Sequence, residues 1–292
     1  MRNTIIMKAL VLAAAAVLAG CGARSDSSQA ETSPAAETTA STETEAPAET
    51  AAPDENTDQP AESAEPAVQK VYEYDPEKPV IALTFDDGPN TTNTPKLLDK
   101  LEQYDIPASF FLIGQNINDD NAEYVRRAYT MGCDIENHSL THSQQMGNMD
   151  DEKLHEEIDK TEELIKGVLG DSWGGSQFFR PPYNIATSTM YSAIDMAFVM
   201  GYGCDDWDAS VSTETRVEKT LEQAGDGVII LLHDQPENQS TVDALDEIIP
   251  ALKEQGYQFV TISQLFEAKH LDPTDELYAR YRVINVVEEM DK

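Results

Sequence analysis

Val80-Ile-Ala-Leu-Thr-Phe-Asp-Asp-Gly-Pro89 is the stretch that decides the fold of this 292-residue chain. Its apolar first half predicts a buried strand, and Asp-Asp-Gly-Pro predicts the tight turn that ends it. Successive residues that leave a strand point in different directions, so Asp86 and Asp87 can have different tasks. One can hold a metal while the other accepts a proton. Taken alone, the segment also fits an ordinary turn.

Four downstream segments carry polar groups of the same kind, and each follows a predicted strand. They are His138-Ser-Leu-Thr-His142, Arg180-Pro-Pro-Tyr183, Asp206-Trp-Asp208 and Leu231-Leu-His-Asp234. Two histidines four residues apart, with an aspartate from another strand, are typical of a catalytic zinc site with open positions. The ordinary alternative is a pair of surface histidines, and we interpret His155 and His270 as surface residues.

In this order the segments resemble the motifs of the polysaccharide deacetylase family, carbohydrate esterases with a nodulation-protein-B-like domain. Residues 84–89 match the first motif, 138–143 the second, 180–183 the third and 231–233 the fifth. The resemblance covers roughly residues 79–266. It implies a single catalytic domain with the fold of a distorted (β/α)₇ barrel.

The resemblance also implies a role for each matching residue. Asp87, His138 and His142 would hold one divalent metal, zinc first and cobalt or another divalent ion next. Asp86 would be the general base that takes a proton from the attacking water, and His233 the general acid that protonates the departing amine. The implied substrate-binding residues are Arg180, Pro181, Tyr183, Trp207 and Leu231. Arg180 would pair with Asp86, and the N–H of Tyr183 would hold the oxyanion. Trp207 and Leu231 would line the acetyl pocket.

The fourth motif is matched only in part. The family has Trp-x-x-Asp there, and that aspartate supports the acid histidine. With Trp207 aligned, this chain has Ser210 at the position of the aspartate. Without a substitute, the pKa of His233 should be lower, because a nearby carboxylate favours the protonated ring. The candidate substitutes are Asp205, Asp206 and Asp208.

Strand-like and helix-like segments alternate from residue 79 onward. The predicted strands are Val80–Phe85, Ala108–Ile113, Asp134–Asn137, Gln177–Phe179, Gly203–Trp207, Gly227–Leu232 and Gln258–Thr261. The predicted helices are Thr94–Tyr104, Asn121–Met131, Met149–Val168, Thr187–Met200, Thr213–Ala224, Thr241–Glu254 and Ser263–Lys269. Seven βα units predict a parallel sheet closed into a barrel, whose chemistry lies at the carboxyl ends of the strands. Cys133 and Cys204 fall far apart in this order, so we expect buried thiols rather than a disulfide.

The first 78 residues predict that the protein is exported and that a flexible segment links its catalytic domain to the membrane. Residues 1–21 have a positive start and an apolar run, Ala9–Ala19, that is too short to span a bilayer, as expected of a bacterial signal peptide. Leu18-Ala-Gly-Cys21 resembles the lipobox of bacterial lipoproteins, which implies a lipid on Cys21. The alternative is an ordinary signal peptide with an incidental cysteine. Residues 22–78 predict a disordered acidic linker rich in Ala, Thr, Glu and Pro. The catalytic domain would then span residues 79–269, and the role of residues 270–292 stays open.

The net charge of the chain and its predicted location limit the functions that it can have. The formal net charge of −34 argues against contact with nucleic acid. We expect a monomeric, extracytoplasmic hydrolase, anchored to the cell membrane through Cys21, that removes N-acetyl groups from a surface glycan. Peptidoglycan N-acetylglucosamine is the first choice, because a tethered enzyme meets that polymer first. Alternatives of the same fold are a xylan de-O-acetylase and a chitooligosaccharide deacetylase. A non-catalytic glycan-binding lipoprotein would need neither Asp86 nor His233, and a solute-binding lipoprotein would have two lobes.

Overall fold

The computed structural model describes residues 69–275 together with Tyr278 and Val283. The predicted signal peptide, Cys21 and most of the predicted linker lie outside the described residues. The strands are β1 (Val80–Asp86), β2 (Ser109–Leu112), β3 (Asp134–Asn137), β4 (Phe178–Phe179), β5 (Ala197–Phe198), β6 (Tyr202–Gly203), β7 (Val228–His233) and β8 (Gln258–Phe259). The helices are α1 (Thr94–Tyr104), α2 (Ala122–Thr130), α3 (Asp151–Leu169), α4 (Ser188–Ala193), α5 (Thr213–Gln223), α6 (Gln239–Glu254) and α7 (Ile262–Ala268).

The described strands form one parallel sheet in the order β5-β4-β3-β2-β1-β7-β6, with β8 paired to β1. β1 is buried along its whole length, as expected of a central strand covered on both faces. It pairs with β7 from Ile81 to Asp86, and this register sets Asp86 opposite His233. The predicted distorted (β/α)₇ barrel is confirmed, and with it the carboxyl ends of the strands lie at one end of the barrel.

Two elements predicted around residue 200 are wrong. The helix predicted over Thr187–Met200 is the six-residue α4, and Ala197–Phe198 forms β5 beside β4 instead. The strand predicted over Gly203–Trp207 is displaced to β6, Tyr202–Gly203. A short apolar run carries no period that separates a buried strand from a buried helix, so pairing with β4 decides the outcome. The other elements lie within two residues of their predicted bounds.

The barrel is irregular where the chain passes from β5 to β6. Val283 pairs in parallel with Val199, its N–H donates to Phe198 O at 2.9 Å, and its carbonyl accepts from Met200 N at 2.9 Å. The carbonyl of Tyr278 also accepts from Phe198 N at 3.2 Å, so two described residues of the extension after residue 269 cover this edge of the sheet. From the barrel interior, Arg180 donates to the carbonyls of Val199 at 3.3 Å and Met200 at 2.5 Å.

Helices pack on the outer face of the sheet through apolar residues at helical spacing. On α1 these are Leu97, Leu98 and Leu101, all buried. Asp150 caps α3 by accepting from Lys153 N at 3.1 Å, which satisfies a backbone donor at the helix start. Within the described part of the chain, no helix combines the length and the apolar character that crossing a bilayer requires.

Cys133 and Cys204 are both free and buried, as the sequence predicts. Burial raises the pKa of the Cys133 thiol to about 12 and that of Cys204 to about 11. Both thiols therefore stay protonated at neutral pH and pack as small apolar groups, because only the thiolate is reactive.

Candidate active site

A cleft of about 860 Å³ lies at the carboxyl ends of the strands. Every site residue predicted within the barrel except Arg180 lines it: Asp86, Asp87, His138, His142, Pro181, Tyr183, Trp207, Leu231 and His233. Arg180 was grouped with the substrate-binding residues, but its side chain is completely buried beneath the cleft. It therefore contacts Asp86 rather than a molecule in the cleft.

Asp87, His138 and His142 form a group of three ligand atoms. Asp87 Oδ1 lies 3.4 Å from His138 Nε2 and 3.3 Å from His142 Nε2. Ligands about 2.0–2.1 Å from a tetrahedral zinc ion lie about 3.4 Å from one another, so these separations suit such an ion. Asp87 Oδ1 is buried without a hydrogen-bond partner, which is expected of an oxygen that faces a cation. The three residues therefore fit a divalent metal.

The proton positions agree with metal binding. His138 Nδ1 lies 2.5 Å from the carbonyl oxygen of Arg180, which can only accept a hydrogen bond. Nδ1 therefore carries a hydrogen, which leaves Nε2 as the ring nitrogen that can bind a metal. Burial alone would raise the pKa of Asp87, but the interaction with His138 and the charges of His233 and His142 outweigh burial and hold this pKa well below its usual range. Asp87 is thus a carboxylate at neutral pH.

Left-handed backbone angles aim these ligands. Asp87 has φ 74°, Ser139 φ 67° and His142 φ 52°. Each is held by its surroundings: Asn116 Nδ2 donates to Asp87 O at 2.9 Å, Asn137 Oδ1 accepts from Ser139 N at 2.9 Å, and Ser139 Oγ accepts from His142 N at 3.1 Å. Sparsely populated conformations of this kind persist where the surrounding structure enforces them, commonly at functional sites.

Asp86 lies between Arg180 and the ligand group. Arg180 Nη1 donates to Asp86 Oδ1 at 2.5 Å and to Thr84 Oγ1 at 2.8 Å. Its guanidinium lies 4.0 Å from the centre of the Phe111 ring. Asp86 Oδ2 lies 3.9 Å from His138 Nε2, at the edge of the ligand group. One oxygen of Asp86 is therefore fixed by the ion pair, and the other faces the cleft.

Asp206 is the carboxylate that supports His233. Asp206 Oδ1 lies 2.7 Å from His233 Nδ1, and Oδ2 accepts from His233 N at 2.8 Å and from Thr241 Oγ1 at 2.8 Å. Burial alone would lower the pKa of His233, but the hydrogen bond and charge of Asp206, with smaller contributions from Asp86 and Asp87, raise it to about 9. His233 is therefore protonated at neutral pH.

The expected departure at Ser210 does not leave His233 without a carboxylate. Ser210 is exposed, and its N–H donates to Asp208 Oδ1 at 2.8 Å rather than taking part in the contacts around His233. Of the three candidate substitutes, Asp206 takes the position. The support that the family pattern places at the position of Ser210 comes from Asp206 in this chain.

Two exposed aromatic side chains flank the cleft. Tyr183 is 52% exposed, and its ring centre lies 4.5 Å from that of His142. Trp207 is 60% exposed, so it lines the cleft without forming a closed pocket. Both rings leave much of their surface free for a molecule in the cleft.

Comparison with known proteins agrees with this geometry. The family model for polysaccharide deacetylase matches residues 73–199. A peptidoglycan-N-acetylglucosamine deacetylase of Bacillus cereus is 35% identical over 216 residues, which cover 70% of this chain and 97% of that protein. The chain belongs to the polysaccharide deacetylase family.

The names of two other relatives of this polysaccharide deacetylase refer to xylan. A bifunctional xylanase/deacetylase of Pseudobutyrivibrio xylanivorans is 48% identical over 197 residues, 68% of this chain. The match spans about a third (32%) of that longer relative. A family 4 acetyl xylan esterase from Clostridium thermocellum, whose structure was solved in complex with a cobalt ion, is 40% identical in sequence to this chain. The two structures superpose with a TM-score of 0.67, and the match covers 72% of this chain and 99% of the esterase chain.

The sequence analysis named Asp234 but assigned it no role, and the structure shows that it stabilises the turn at the first polysaccharide deacetylase motif. Its buried carboxylate accepts from Thr94 Oγ1 at 2.5 Å and Asn90 Nδ2 at 3.0 Å, and burial raises its pKa to about 7. A Cβ on Gly88 would lie 2.6 Å from Asp234 Oδ2, so only glycine fits beside it. Its position directly after His233, in a segment of strand and turn residues, was the available signal.

Proposed function

We propose that this chain is a metal-dependent hydrolase that removes N-acetyl groups from a cell-surface glycan, with peptidoglycan N-acetylglucosamine as the first candidate. The proposal is based mainly on the position of the three possible metal ligands between two ionisable side chains. Each of these side chains is held by a charged partner. Asp86 is paired with Arg180 on one side, and His233 is paired with Asp206 on the other.

The reaction needs a nucleophile, a base and an acid. Asp87, His138 and His142 would hold a divalent metal, which when bound would supply a water nucleophile near neutral pH and polarise the acetyl carbonyl. Asp86 takes the proton of the attacking water through the oxygen that faces the cleft. His233 gives its proton to the leaving group. Because Asp86 and His233 are register partners on adjacent strands, base and acid reach the same part of the cleft.

The state of His233 favours an amide substrate. An amine leaves as a neutral molecule only when it is protonated, so amide hydrolysis depends on an acid that still carries its proton at neutral pH. Asp206 provides this by raising the pKa of His233 to about 9. Ester hydrolysis makes a weaker demand, because an alkoxide is a better leaving group than an amine anion.

O-acetylated xylan is the second candidate. The 48% identity to a bifunctional xylanase/deacetylase and the 40% identity to an acetyl xylan esterase support it. The test is acetate release from peptidoglycan, N-acetylglucosamine oligomers and acetylated xylan, measured side by side with the same enzyme. A higher kcat/KM on the N-acetylated substrates is expected. Release from xylan alone would make the chain a de-O-acetylase, and no release from any of them would favour the non-catalytic reading.

Asp206→Asn is expected to move the alkaline limb of the kcat–pH profile to lower pH by about one unit or more. His233 acts only while protonated, so kcat falls as the pH rises through its pKa. Removing the carboxylate lowers that pKa, and about 1.4 kcal/mol of lost interaction corresponds to one unit. Ser210→Asp is the matched control, and its alkaline limb should coincide with that of the unmodified enzyme. An unmoved limb in the Asp206 variant would show that another group sets the proton affinity of His233.

The N-terminal prediction also belongs to this proposal: the enzyme is exported and anchored through lipid on Cys21. The support is Leu18-Ala-Gly-Cys21 at the end of the apolar run. Cys21→Ser should move the protein from the membrane fraction to the soluble fraction, with unchanged activity on soluble oligosaccharides. Membrane retention of the variant equal to that of the unmodified protein would refute the anchor.

A further inference from the structure

Gln235 contacts the ligand group, although the sequence motifs gave no reason to single it out. It lies two residues after His233, is half-buried and lines the cleft. Its Nε2 donates to Asp87 Oδ2 at 2.8 Å. The other oxygen, Asp87 Oδ1, is the buried one that faces His138 and His142 and has no hydrogen-bond partner. The two oxygens of one carboxylate are therefore in different environments.

The backbone of Gln235 is fixed from two sides. Its carbonyl accepts from Asn93 Nδ2 at 2.5 Å and from Asn238 N at 3.0 Å. Asn93 directly precedes α1, which follows the turn containing Asp87, and Asn238 directly precedes α6. The two loops that carry Asp87 and Gln235 are thus tied together, so the amide group of Gln235 is held within reach of Asp87 Oδ2.

We propose that Gln235 is a positioning residue for the metal: it holds Oδ2 of Asp87 so that Oδ1 alone is presented between the two histidines. This inference rests on the proposed function. The terminal torsion of an aspartate is broad, so an unrestrained carboxylate can rotate and move its oxygen away from the position between the two histidines. Groups that hydrogen-bond to metal ligands fix their orientation, and their loss typically weakens metal binding by about 10–100-fold.

Gln235 also lines the cleft, so a loss of activity alone would not separate metal positioning from contact with the glycan. The readout must therefore be metal affinity in the absence of substrate. Gln235→Met keeps the length of the side chain and removes its donor, and Gln235→Ala provides a second variant at this half-buried site. Gln239→Leu is the matched control, because Gln239 Nε2 also donates to a carboxylate, Asp243 Oδ1, at 2.8 Å, but on the exposed surface of α6.

The experiment is a titration of the chelator-stripped, full-length protein with Zn²⁺ in competition with a chromophoric chelator, with thermal unfolding of the metal-free variants as the check on folding. Both Gln235 variants should bind zinc about 10–100-fold more weakly than the unmodified protein, and the Gln239 variant should bind it equally well. Unchanged affinity in a folded Gln235 variant, or an equal loss in the control, would overturn the inference. Failure of the unmodified protein to bind zinc would instead overturn the proposed function.

Discussion

Asp86→Asn is expected to keep the metal and to lower kcat by about 10²–10⁴, the usual contribution of a general base. Asparagine has nearly the same shape, and its carbonyl oxygen can still accept from Arg180 Nη1, which lies 2.5 Å from Asp86 Oδ1. It cannot take a proton from water. The ligand group is untouched, because Asp87 and not Asp86 provides the oxygen between the two histidines.

The measurement pairs kcat with the metal content of the purified variant, and Asp87→Asn is the comparison. The Asp87 variant should lose metal and activity together, whereas the Asp86 variant should lose only activity. Thermal unfolding must accompany both measurements, because the buried charge of Arg180 loses its partner in the Asp86 variant. Metal loss in the Asp86 variant, or a nearly normal kcat, would show that the tasks of the two aspartates have been exchanged.

Removal of the metal is expected to reduce acetate release by on the order of 10³-fold or more. A metal ion contributes several kcal/mol to such a reaction, and each ~1.4 kcal/mol corresponds to a factor of ten in rate. Zinc or cobalt added to the stripped enzyme should restore activity in proportion to the metal bound. Full activity in rigorously metal-free protein would contradict the proposal.

Two histidine variants localise this effect. His142→Ala removes one of the three ligands and should reproduce the loss seen on stripping. His155→Ala is the control, because His155 is exposed on α3 and outside the ligand group. It should bind metal and release acetate as the unmodified enzyme does. An equal loss in both variants would point to general damage rather than to a specific site.

The sequence predicted the parts of the site that lie next to long apolar strands. β1 and β7 are continuous apolar runs, so their ends could be placed, and with them Asp86, Asp87 and His233. The partner of His233 could not be predicted in the same way. Asp206 reaches it because the two-residue β6 pairs with Ile230 and Leu231 of β7, and that pairing sets the path of the following loop.

Contacts between loops could not be predicted from the sequence for a similar reason. Gln235 meets Asp87 only because two separate loops are tied through Asn93, and no periodicity in either segment reports that contact. The element boundaries near residue 200 were wrong because the apolar run around Ala197–Phe198 carries no period that separates a strand from a helix, and its pairing with β4 decides the outcome.

Arg180 connects the wall of the barrel to the chemistry at its end. Its guanidinium binds Asp86 and the carbonyls of Val199 and Met200 at the same time. A lysine would offer a single ammonium group in place of a planar fork, so it could not serve both the carboxylate and the wall in the same geometry. The same side chain therefore joins the packing of the barrel wall to the orientation of the base, so a change that displaces one also displaces the other.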